Sequence, residues 1–134
     1  MRDNAGVDVV PTAARRVAVL AGFAAWAMAV PWIARVVGLR LDVPARLEVV
    51  DHVVPGAVVL ACCAALLLSG AAALVRLGVI GLASLAGLWI TATHVTLVPE
   101  AIDGVTAWGP ALIHLSAGPP VAVMALWMLL TDES

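Results

Sequence analysis

The chain has 134 residues, 63% of them hydrophobic and only 12% charged, with a mean hydropathy of +1.09. That balance excludes a soluble domain of this size, which would need a polar exterior. A net charge of −2, with all seven bases Arg and no Lys, excludes a nucleic-acid binder, because phosphate affinity comes from clustered Lys and Arg.

Apolar runs of about 20 residues, enough to cross about 30 Å of hydrocarbon as helix, occur four times. The first, Val17 to Ile33, follows an N-terminal tail of residues 1–16. Its Ala27-Met28-Ala29 resembles a signal-peptidase site, but the run continues through Trp32 and Ile33, so an uncleaved helix is expected, kinked at Pro31. Next, Asp42-Val43-Pro44 reads as a helix start with Pro at the first helical position. It predicts a short amphipathic entry helix over Ala45-Arg46-Leu47-Glu48. The second run, Val53 to Leu74, contains Pro55, which removes the bond to the Asp51 carbonyl and predicts a kink. Its adjacent Cys62 and Cys63 suit neither a disulfide nor a CxxC site and read as small apolar fillers.

Arg76 alone separates the second run from the third, Leu77 to Val98, which predicts a tight hairpin with Arg76 snorkelling at the interface. The fourth run, Ala111 to Leu130, contains Pro119 and Pro120 and should also kink. Four spans put both termini on one side. Arg2, Arg15, Arg16 and Arg76 then oppose Arg35, Arg40 and Arg46, and the positive-inside rule favours cytoplasmic termini in a multi-pass protein of the cell membrane. Trp26, Trp32, Trp89, Trp108 and Trp127 read as interface anchors and packing groups, with Trp32 and Trp108 in one belt. Gly70, Gly78, Gly81 and Gly87, with many Ala, permit close helix contact in a monomer, a homo-oligomer or a larger membrane complex. The expected fold is all-α: a polytopic four-helix bundle in the lipid bilayer, one transmembrane domain over 17–134 made of two tandem helical hairpins.

Sliding the chain by 63 residues lays Ala24-Ala25-Trp26 through Val30-Pro31-Trp32 over Gly87-Leu88-Trp89 through Thr93-His94-Val95. An offset of 62 lays His52 and Gly56 over His114 and Gly118. Paired Trp and a paired His-x-x-x-Gly are costly coincidences even in an apolar chain, and they suggest a two-fold internal repeat, about 17–74 and 77–130. These segments resemble the SPW-repeat family of small membrane proteins, whose two-helix repeat carries Gly-x-Trp-x-x-x-Ser-Pro-Trp in its first helix and a polar residue shortly before a Gly in its second. Val30 stands where the first copy would have Ser, and Thr93-His94-Val95 replaces the triplet in the second. The resemblance implies four helices and no defined activity. Two-span copies would insert in the same direction, with His52 and His114 at equal depth.

In that topology all three histidines and five of the nine acidic residues fall on one membrane side: Asp42, Glu48, Asp51 and His52, then His94, Glu100, Asp103 and His114. Glu48, Asp51, His52 and Pro55 share one helical face by spacing. Asp51, His52, His94, Glu100, Asp103 and His114 are therefore the candidates for acid-base or ligand chemistry, His94 because an ionisable group inside a span is costly to bury. The bland alternative is a solvated loop face whose acids favour helix N-termini. His52 and His114 could clamp a haem as paired axial ligands, or else bond to loop carbonyls. No ligand-spacing motif marks a metal site, and none is expected, although Asp51, His52, His94 and His114 are the side chains a zinc ion would need. No HExxH, Walker loop, GxSxG or CxxC is present, so an enzyme is not expected. The first reading is a structural, accessory or small-ligand-binding membrane protein without a required cofactor. The second is a membrane enzyme or redox subunit acting on a quinone or isoprenoid at the His/carboxylate cluster.

Overall fold

Many large apolar side chains lie on the outside of this protein, and alanine is abundant at its centre around Leu20, Ile80 and Ile90, an arrangement unlike the one water imposes. The computed structural model describes residues 11–68 and 72–131. Leu68, Leu74 and Leu130 lie at the surface, as do all five Trp to about half their area, whereas Ala24, Ala27, Ala34, Ala83, Ala111, Ala117 and Ala125 are fully enclosed. Helices that are apolar all round have no preferred aqueous face, and in lipid they associate through small residues that let backbones approach.

The elements are α1 (Thr12–Val36), α2 (Ala45–Glu48), a π-helical turn (Val49–Val53), α3 (Val54–Leu68), α4 (Ala73–His94), α5 (Leu97–Ile102), α6 (Trp108–Leu115) and α7 (Gly118–Thr131). Joined end to end they make four helices long and apolar enough to cross a membrane: Thr12–Val36, Ala45–Leu68, Ala73–Ile102 and Trp108–Thr131. The architecture is a four-helix bundle of the multi-pass membrane type. In it α1 packs on α3, α3 on α4, α4 on α7, and α7 back on α1. Arg16 Nη1 donates to Thr131 Oγ1 at 3.1 Å, and its guanidinium lies 4.4 Å from the Trp127 ring centroid, so both ends of the described chain meet at one end of the bundle.

Several boundaries differ from the sequence reading. Residues 12–16 are already helical, so the expected tail of 1–16 shortens; residues 1–10, with Arg2, lie outside the described residues, as does Gly70. Leu74 and Arg76 belong to the first turn of α4, which begins at Ala73 directly after Ala72 in extended backbone. Arg76 is therefore in the third span and not the connection. Pro44 caps α2 from outside instead of opening it, and α2 runs on into α3 as one helix, not a separate entry segment. Pro31 stays inside an unbroken α1, while Pro119 and Pro120 follow the break between α6 and α7.

Glycines set two helix ends and two crossings. Gly38 and Gly104 have positive φ, and each stops its helix with paired bonds back to the preceding turn: Leu39 N–H to Ala34 O and Gly38 N–H to Arg35 O, Val105 N–H to Glu100 O and Gly104 N–H to Ala101 O. This is the Schellman arrangement, which needs a residue tolerant of left-handed backbone. At Gly118 a Cβ would sit 2.5 Å from the Thr91 nitrogen, and at Gly56 it would collide with Met28. There α7 meets α4, and α3 meets α1, at backbone contact.

Candidate functional site

Three spans deliver one imidazole each to the end of the bundle away from Arg16 and Thr131. His52 comes from the π-turn, His94 from the last residue of α4 and His114 from α6. The local cause of the first is Pro55: without an N–H it cannot donate to the Asp51 carbonyl as an ordinary helical residue would, and its ring crowds that carbonyl. The turn widens, and Val54 N–H bonds instead to Val49 O, five residues back. Single π-turns inside helices recur at functional positions.

The ring centroids of His52 and His94 are 4.4 Å apart, those of His52 and His114 5.5 Å, and those of His94 and His114 5.9 Å. All three side chains are buried, His52 completely. His94 Nδ1–H donates to the Ile90 carbonyl at 2.8 Å, and His114 Nδ1–H donates to the Pro110 carbonyl at 2.9 Å. A carbonyl only accepts, so both rings carry their proton on Nδ1 and hold a lone pair on Nε2. His114 Nε2 and both nitrogens of His52 are buried without a hydrogen-bond partner. The Ala27 carbonyl lies near the His52 ring but outside bonding geometry.

Glu48 joins this group. Its side chain is 3% exposed, Oε2 accepts from Arg35 Nη2 at 2.5 Å, and Oε1 is buried with no partner. The imidazoles and Glu48 line a cavity of about 550 Å³ that widens among Arg40, Asp42 and Val43 on one side and Val105 and Thr106 on the other. That volume is in the range of small-molecule sites.

Of the six candidates from the sequence, His52, His94 and His114 come together. Asp51 and Glu100 line the same cavity half-buried, Glu100 accepting from Thr106 Oγ1 at 2.9 Å. Asp103 does not belong: it caps α5 in the open and is absent from the cavity wall. The sequence reading missed Arg35, whose pairing with Glu48 spans the α1–α2 loop. His52 and His114 touch in a T-shaped ring contact, with His94 against both, which leaves no slot for a macrocycle between them. Among the described residues, no three His, Cys, Asp or Glu side chains already gather their donor atoms as a metal site. Cys62 and Cys63 are buried thiols in the core, away from this cavity.

No family model, curated protein or solved structure matches the chain.

Proposed function

We propose that this is a non-catalytic membrane protein of SPW-repeat type that binds a small ligand in the cavity ending at His52, His94 and His114. The observation that carries this reading is the meeting of three imidazoles from three spans along one cavity, where both ring nitrogens of His52 and Nε2 of His114 are buried without a partner. Buried polar groups without partners are costly, and ordinary packing would have tied them to carbonyls or replaced them by apolar residues. The donor pattern limits the ligand. His94 and His114 present lone pairs, Glu48 presents a carboxylate oxygen and neutral His52 offers one lone pair and one N–H, so acceptors outnumber donors and the ligand chiefly accepts electron pairs or donates hydrogen bonds.

The two-hairpin repeat is supported by the contacts at Gly56 with Met28 and at Gly118 with Thr91, since these pairs are related by the offsets of 62 and 63. With cytoplasmic termini, the cavity opens on the opposite face of the cell membrane.

Native mass spectrometry of the chain extracted from its own membranes in mild detergent tests the binding reading. Wild type should carry an added mass that His52→Ala and His114→Ala lack while retaining helical circular dichroism. The bare chain mass in wild type, from an extraction that keeps lipids on other proteins, would refute it.

A further inference from the structure

We propose that the ligand is a divalent first-row transition-metal ion of the zinc type, held by His52, His94 and His114 with Glu48 as the fourth ligand. The inference rests on the binding reading above and narrows it to one chemical class.

Spacing is the first ground. With a metal–nitrogen bond of about 2.0–2.1 Å and about 1.1 Å from nitrogen to ring centre, each centroid lies about 3.2 Å from the ion, and ligand angles of about 90–110° separate centroids by about 4.5–5.2 Å. The observed 4.4 Å lies just below that interval and 5.5 and 5.9 Å just above it, so the rings are near ligand spacing and His114 must close slightly on the other two. The donor atoms do not yet converge. Rotation of the rings about χ2, with a small closing shift of their centres, is the movement the ion requires, and the rotation falls mainly on His52, whose nitrogens have no hydrogen-bond partner.

Outer contacts are the second ground. A metal-bound imidazole ordinarily donates its other N–H to a carbonyl or carboxylate, which fixes the tautomer and aims the lone pair. His94 and His114 already do so through Ile90 and Pro110. Glu48 is held the same way: Arg35 secures Oε2 and leaves Oε1 free. One carboxylate offsets part of the charge of a divalent ion in a setting poor in water, and Asp51 and Glu100 line the way in. Neutral imidazole with carboxylate is a borderline donor set that suits zinc and its neighbours better than magnesium or calcium.

Cobalt is the probe. Untagged protein in detergent, stripped with EDTA and dialysed, is titrated with Co2+ and followed by its visible ligand-field absorption, then by displacement with Zn2+. One ion per chain is expected. His52→Ala, His94→Ala and His114→Ala should each weaken binding about 100-fold or more, and Arg35→Gln about tenfold by releasing Glu48. Cys62→Ala/Cys63→Ala should bind as wild type, with no thiolate charge-transfer band. Thermal unfolding of each apo variant separates lost ligation from lost folding, and His52→Gln serves if His52→Ala does not fold. Wild type that fails to take up Co2+ or Zn2+, or binding that survives all three histidine substitutions, overturns the proposal. If such a protein still retains a histidine-dependent organic mass, such as an amine, the binding reading stands and the metal does not.

Discussion

Glu48 shows how much one side chain can depend on another in this bundle. It is buried, and only one of its oxygens is paired, by an Arg35 guanidinium that is itself about half exposed. Removing the arginine leaves a carboxylate enclosed without compensation, which costs more than the pair contributes. Arg35→Ala should lower stability by about 1.5–3 kcal/mol, the scale of a hydrogen bond to a charged group, and not the larger value of a fully enclosed pair. Unfolding of the detergent-solubilised variants measures this, and the loss should shrink sharply when Glu48 is already Gln. An equal loss in both backgrounds would mean that Arg35 acts through something other than the carboxylate. The sequence made Glu48 visible as a polar residue on a helical face. It did not reveal Arg35, because no periodicity links residues on two helices joined by a loop.

At the scale of elements, the four spans were legible because each is a run of apolar residues longer than any soluble strand or loop tolerates. Their ends were less so. Leu74 and Arg76 look like the close of one run and the gap before the next, yet both lie in α4, since an arginine near a helix end can extend to the interface without breaking the helix. Pro55 was expected to kink its helix, and the structure resolves the missing donor as a π-turn. One residue added to a turn rotates everything before it by about 100° relative to α3. Pro55→Ala restores the N–H and should let an ordinary turn form, swinging α2 so that Glu48 leaves Arg35. Helical circular dichroism should stay level or rise. Adding Arg35→Ala to that variant should then cost almost nothing, and a full Arg35→Ala loss in the Pro55→Ala background would show that the turn does not orient Glu48.

For the molecule as a whole, lipid-facing leucines and a core of alanines fix how the helices pack, and packing alone decides whether histidines at a common depth also meet. Topology could be read from run lengths, which is why His52, His94 and His114 were expected at one boundary. Their approach to within ring contact could not, because it follows from helix rotations set by the close crossings at Gly56 and Gly118 and by the π-turn. The shared boundary has a direct check. With Cys62 and Cys63 replaced by Ala, single cysteines at Val43 and Val105, both exposed near the cavity mouth, should react with a membrane-impermeant maleimide from the same side of oriented vesicles. A cysteine at Thr12, at the Arg16 and Thr131 end, should react only from the other side. Labelling of Val43 and Val105 from opposite sides would mean that either the second or the third span does not cross. The three imidazoles would then have no common membrane face from which to bind anything.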